Sequence, residues 1–192
     1  MAKVLFYDIE TAPNLAYVWG HYDQNVIRQH REWYMMCFSY KWEGTQTTKV
    51  VSLPDFDLYD KDPENDREVV QALWDLIDEA DVVVAHNGDK FDMKKANARF
   101  IVHEMGPPAP VQQIDTLKAS KRYFKFNSNK LDDLGTHLTL GNKAATGGFA
   151  LWEGCMNGDE KAWRTMKKYA KQDVNLLADL YYKMRPWMTN HP

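Results

Sequence analysis

Apolar and polar positions along this chain switch between a period of two and a helical period. Residues 3–9 (Lys-Val-Leu-Phe-Tyr-Asp-Ile) form a β-favouring, mostly apolar run that predicts a buried strand. A second strand is predicted over 34–42. Gly44 marks a turn, and a third strand follows over 47–53. Two strands joined by a short polar turn imply an antiparallel hairpin. Residues 54–65, with two prolines and several aspartates, read as a loop. From Asp66 onward, Val69, Val70, Leu73, Trp74, Leu76 and Ile77 recur at helical spacing. A short apolar strand over 82–85 leads through His86-Asn87-Gly88 into a helix expected from Asp89 to about Glu104. Gly106-Pro107-Pro108 breaks it. A last strand is expected over 111–114, then helices over 116–124 and 130–138. Five glycines make 141–158 read as a long loop, and a final helix spans about 159–184, stopping before Pro186. The hairpin followed by alternating helices and strands predicts an α/β mixed sheet with helices packed on it. Neither a repeat nor a linker divides the chain, so residues 1–192 are expected to be one domain.

Composition narrows the function classes. A chain 44% hydrophobic and 27% charged is ordinary for a globular protein, which excludes collagen-like and disordered classes. The net charge of −3 argues against a coat that binds nucleic acid by charge alone, but leaves room for carboxylates that hold metal. The two cysteines, Cys37 and Cys155, share no short spacing, so neither a zinc site of four cysteines nor a disulfide scaffold is expected. The apolar run at the N-terminus stops at Asp8, too soon for a signal peptide, and no apolar stretch is long enough to span a membrane. The expectation is a cytoplasmic protein (host cytoplasm if viral).

Three features carry chemistry. Asp8 and Glu10 stand two apart at a strand end and so point to one face. Two adjacent carboxylates repel by about 4 kcal/mol at contact in an effective dielectric near 20, so such a pair is either solvated or holding metal. Asn87-Gly88-Asp89-Lys90-Phe91-Asp92 follows a buried strand and opens a helix. Asn87 or Asp89 fits an N-cap; equally, Asp92 could face the first pair, with Phe91 packed inward to fix the turn. Tyr169 and Asp173 lie four apart on a helix face that also carries Met166, Leu177 and Leu180. An inward aspartate needs a partner, either the tyrosine or a cation.

Taken together and in this order, Tyr-Asp-Ile-Glu-Thr (7–11), Asn87-x3-Phe91-Asp92 and Tyr169-x3-Asp173 resemble the three exonuclease motifs of the DEDD superfamily. The tyrosine in the third motif resembles the DEDDy branch. The predicted element order is similar to that family's ribonuclease-H-like fold over residues 4 to about 180. The chain also resembles small stand-alone exonucleases of bacteriophage type. The resemblance implies metal ligands at Asp8, Glu10, Asp92 and Asp173, with Tyr169 as an orienter of the attacking water. It implies two divalent ions, Mg²⁺ or Mn²⁺ given an all-oxygen ligand set. It further implies 3′→5′ removal of mononucleotides from a single-stranded 3′ end, DNA more than RNA, with a replication or repair protein as a possible partner. Thr11 and Asn87 are implied to touch substrate. Thr11-Ala12-Pro13-Asn14 departs from the small pair that often continues the first motif, and the long loop to Trp33 implies a differently shaped terminal pocket.

Around the site, 118–130 interleaves five basic residues with rings, and Lys121, Arg122, Tyr123 and Phe124 are candidates for phosphate and base contacts. The same segment fits a helix end with core aromatics. Lys94 and Lys95 read as ordinary surface residues. Asp115 reads as an N-cap and His86 as a hydrogen-bonded histidine. The loop over 141–158, with Phe149, Leu151 and Trp152, reads either as a lid or as a loop pinned by Trp152. The alternatives to an exonuclease are a ribonuclease-H-like endonuclease, an RNA-trimming exoribonuclease, or a silent binding or docking module on the same fold.

Overall fold

The strands assemble in an order that differs from the chain order, and that difference creates the site. The computed structural model describes residues 2–142 and 147–192. Seven strands are described: β1 (Val4–Thr11), β2 (Leu15–Tyr17), β3 (Arg28–Arg31), β4 (Met35–Trp42), β5 (Lys49–Ser52), β6 (Val82–Ala85) and β7 (Gln112–Asp115). The α-helices are α1 (Arg67–Glu79), α2 (Asp92–Val102), α3 (Thr116–Tyr123), α4 (Leu131–His137), α5 (Ala150–Met156) and α6 (Glu160–Met184). The main sheet runs β5-β4-β1-β6-β7. β4 and β5 pair antiparallel on one side of β1, and β6 and β7 run parallel on the other. This is the mixed sheet that the pattern predicts, with β1 at its centre.

Alternation along β1 divides its side chains between two cores. Leu5, Tyr7 and Ile9 pack with Val69, Leu73 and Ile77 of α1 and with Ala96 and Phe100 of α2. Val4 and Phe6 face Val174, Leu177 and Tyr181 of α6. Asp8 and Glu10 continue that second set, so the pleat aims both carboxylates at α6. α6 is tied to the sheet by polar pins: Ser39 Oγ donates to the Ala170 carbonyl at 2.8 Å, and Thr48 Oγ1 to Asn175 Oδ1 at 2.5 Å.

A buried ion cluster holds α1, α2 and β4 together. Asp66, just before α1, is fully buried. It accepts from the Met35 amide at 2.7 Å, from Arg99 Nε at 2.7 Å and from Arg99 Nη2 at 2.5 Å, and it lies 2.6 Å from His103 Nε2. Through Arg99 this cluster orients α2, the helix that begins with Asp92.

Three expectations are corrected. The segment 54–65 contains two short 3₁₀ turns, Leu53–Asp55 and Asp57–Asp60. The long excursion between β1 and β4 contains the antiparallel pair β2–β3. The segment 141–158 is not a continuous loop, because α5 occupies 150–156; residues 143–146 of the suggested lid lie outside the described residues. α5 buries Leu151 and Cys155, one turn apart. Its Gly154 faces Ala162 of α6, where a Cβ would sit 2.7 Å from that alanine's Cβ. The glycine that reads as loop punctuation allows two helices to touch. Among the described residues, no helix is long and apolar enough to cross a membrane.

Candidate active site

β1 extends past its parallel neighbour. It pairs with β6 only over Val4–Phe6, whereas its pairing with β4 continues to Thr11. Beyond β6 the amide of Ile9 donates to Asp92 Oδ1 at 3.1 Å, so the first residue of α2 takes the place of the missing strand. The approach is set by Asn87, whose left-handed backbone (φ 71°) turns the chain after β6. Its carbonyl accepts from the Lys90 and Phe91 amides, and its amide donates to Asp115 Oδ1 at 2.9 Å. Asp115 Oδ1 also caps α3 through the Leu117 and Lys118 amides, at 2.9 and 3.2 Å. The N-cap reading of Asp115 thus stands, while neither Asn87 nor Asp89 caps α2 through its side chain. Asp89 pairs instead with Lys118. Phe91 is half-exposed and does not pack inward, because Asp92 and Met93 take the buried positions of that turn. His86 is hydrogen-bonded, with Nδ1 2.9 Å from Thr116 Oγ1 and Nε2 2.9 Å from the Asn129 carbonyl.

Carboxylate oxygens of Asp8, Glu10 and Asp173 lie within 4.8 Å of one another. Asp173 is buried on α6, and Tyr169, one turn earlier, hydrogen-bonds it. The negative field of this cluster is recorded in its neighbours. Burial first, then Glu10 and Asp173, push the Tyr169 hydroxyl well above its ordinary range. Burial first, then Asp8, push the Asp92 carboxyl up. Burial and then Glu10 raise the Cys37 thiol opposite Glu10 on β4, and burial and then Asp92 raise Tyr7. Three converging carboxylates with only oxygen donors suit a hard divalent cation, which would relieve this field.

Two cavities lie at strand ends, one bounded by Thr11 at the end of β1 and the other by His86 and Asn87 just after β6. One, of about 500 Å³, is bounded by Thr11, Asn14, Trp33, Lys95, Phe149 and Trp152. Trp152 of α5 meets the Tyr169 ring at 6.2 Å, edge to face. Lys95 Nζ sits 3.6 Å from the Trp33 ring centroid, a cation–π contact. Lys95 is therefore not an ordinary surface residue, and its burial lowers its pKa. Lys95 escapes a reading of the motifs because its partners Trp33 and Trp152 come from two other segments. The aromatic side chains in the two long inter-element segments were the available signal.

The other cavity, about 640 Å³, is lined by His86, Asn87, Lys121, Asn127, Asn129 and Lys130, among others. The remaining ring-bearing candidates point elsewhere. Arg122 lies over the Tyr123 ring at 5.2 Å, and Tyr123 reaches Thr189 at 3.1 Å. Phe124 stacks on Phe126 at 5.2 Å and against Trp187 at 5.5 Å. The basic segment thus sends its rings toward the core of α6 and brings Lys121 and Lys130 to the cavity.

With this geometry in place, comparison with known proteins gives a family. A family-level match described as the RNase_H superfamily covers residues 30–185. The chain belongs to the RNase H superfamily. A solved structure, the family B DNA polymerase from the hyperthermophilic archaeon Pyrobaculum calidifontis, superimposes with a TM-score of 0.72 at 16% identity. The match covers 97% of this chain and 25% of the polymerase, so the chain spans about a quarter of that protein. At that identity the likeness establishes the RNase H fold alone. No curated protein matches the sequence significantly. RNase H superfamily membership and the acidic cluster support a nuclease in general, whose Asp8, Glu10 and Asp173 could bind a divalent metal.

Proposed function

We propose that this chain, as one unit, is a metal-dependent 3′→5′ exonuclease of the DEDDy type that releases nucleoside monophosphates from single-stranded DNA. The observation that carries the reading is the convergence of three carboxylates from β1 and α6, with Asp92 accepting from the Ile9 amide between Asp8 and Glu10 and Tyr169 hydrogen-bonded to Asp173. Asp8, Glu10, Asp92 and Asp173 would hold two divalent ions, Mg²⁺ or Mn²⁺. When bound, these supply a nucleophilic water at neutral pH and charge stabilisation for the leaving oxygen.

The chain's own residues do the rest. The Tyr169 hydroxyl, held above its ordinary pKa, stays protonated and cannot serve as a free base. It donates to Asp173, and its lone pairs remain able to accept from the attacking water and orient it. Thr11, Trp33 and Trp152 form an aromatic-walled cavity beside Glu10 that suits the terminal nucleotide. Adjacent strands lie about 4.8 Å apart, so the cavity at the ends of β6 and β7 falls within one or two nucleotides of the carboxylates. There Lys121 and Lys130 can meet backbone phosphates and Asn87 a sugar or base. The likeness to a DNA polymerase favours DNA and a replication or repair setting.

The test is a time course on 5′-labelled single-stranded DNA and RNA of one sequence, with Mg²⁺, Mn²⁺ or EDTA, beside Asp8→Ala. A ladder shortening from the 3′ end, absent in EDTA and in the variant, is expected. Cleavage of a circular strand would overturn the exonuclease in favour of an endonuclease.

A further inference from the structure

The excursion between β1 and β4 is an arm fixed to the domain near its root, where Arg31 pairs with Glu64 and Trp33 lies against Lys95. The Ala12 amide donates to the Tyr34 carbonyl at 2.9 Å and closes its base. Trp33 donates its amide to Asn14 Oδ1 at 2.9 Å just above. Beyond that, among the described residues, β2 and β3 pair with each other and no other strand. A two-stranded ribbon of this size is marginal in water on its own. Yet it presents aromatic rings outward: Trp19 is 89% exposed, Tyr22 84% and Tyr17 56%. The formal charges of the excursion cancel, Asp23 and Glu32 against Arg28 and Arg31; Arg31 pairs with Glu64, and Arg28 stands exposed on β3.

We propose that this arm holds the unpaired bases of the substrate strand upstream of the cleaved end, stacking them on Trp19, Tyr22 and Tyr17. The inference rests on the nuclease reading. Three observations select nucleic acid as the occupant. The exposed rings offer faces that any base can stack on. Arg28, exposed on β3 of the same arm, can meet a phosphate of the strand whose bases the rings stack. Its base is continuous with the site: Thr11 follows Glu10 directly, and Asn14 and Trp33 form both the root of the arm and a wall of the aromatic cavity. Reach fits as well. Trp19 is eight residues from Thr11, so extended chain carries it at most ~28 Å away. At about 3.4 Å per stacked nucleotide, that is up to about eight nucleotides of strand. A dinucleotide spans only about 7 Å of stacked strand, a quarter of that reach.

The experiment compares wild type with Trp19→Ala/Tyr22→Ala, two positions too exposed for the change to disturb folding. Binding of a labelled single strand of about twelve nucleotides is read by anisotropy in EDTA, where no turnover intervenes. Dinucleotide hydrolysis is read separately in Mg²⁺. The expected result is strand affinity about ten- to a hundredfold weaker, with dinucleotide hydrolysis unchanged. Unchanged strand affinity overturns the proposal. So does a variant that sediments as a smaller species while binding the strand normally, which makes the arm a contact between copies of the chain. If neither protein hydrolyses the dinucleotide but the variant still loses strand binding, the arm stands and the exonuclease reading falls.

Discussion

Replacing Asp173 by asparagine separates the charge of the acidic cluster from its shape. The three carboxylate oxygens lie within 4.8 Å of one another, and each such pair repels by about 3.5 kcal/mol in an effective dielectric near 20. Asp173→Asn deletes two of the three repulsions. Asp8 and Glu10 are only half-buried, so water and salt screen most of this, leaving about 1–2 kcal/mol. The amide oxygen still accepts from Tyr169, at the cost of a few tenths of a kcal/mol as that bond loses its charge assistance. In EDTA the variant should melt higher than wild type by roughly 2–6 °C for a chain of this length. Saturating Mg²⁺ or Mn²⁺ should reverse the order. An ion present at a hundredfold over its dissociation constant stabilises the wild type by about 2.7 kcal/mol, and the variant, with a weakened site, by much less. Differential scanning fluorimetry with and without metal reads both effects. A variant that melts lower in EDTA would show that the cluster is not under repulsion. A full metal-induced shift in the variant would place the ion elsewhere.

Tyr169→Phe should keep the metal-induced shift and KM but lower kcat at least tenfold. Asp66→Ala leaves Arg99 buried without its carboxylate and should cost about 3–5 kcal/mol, seen as a lower urea midpoint. Gly154→Ala places a methyl 2.7 Å from the Ala162 Cβ and should destabilise by about 1–3 kcal/mol, with partial recovery in the Gly154→Ala/Ala162→Gly pair. Trp152→Ala removes a wall of the aromatic cavity and the ring beside Tyr169, and should raise KM for single strands more than it alters the metal-induced shift.

The sequence by itself determined the parts of the site that follow from local periodicity. Strand alternation puts Asp8 and Glu10 on one face, and the helical repeat puts Tyr169 and Asp173 on another. The buried runs of β1, β4 and β6, the shorter strand patterns of β5 and β7 and the amphipathic helices between them were legible for the same reason, and with them the mixed sheet. What the tertiary structure decided lies where segments distant in the chain meet. That β1 outruns β6, so that Asp92 meets the Ile9 amide, depends on strand register, which no single segment encodes. Whether Tyr123 and Phe124 stack on bases or fill a core depends on Phe126, Trp187 and Thr189, more than sixty residues downstream in the last two cases. Lys95 looks like a surface lysine until Trp33, from another segment, lies against it. Gly154 looks like loop until Ala162 fills the space that a side chain would take. Local pattern reports which face is buried; only packing reports what it is buried against.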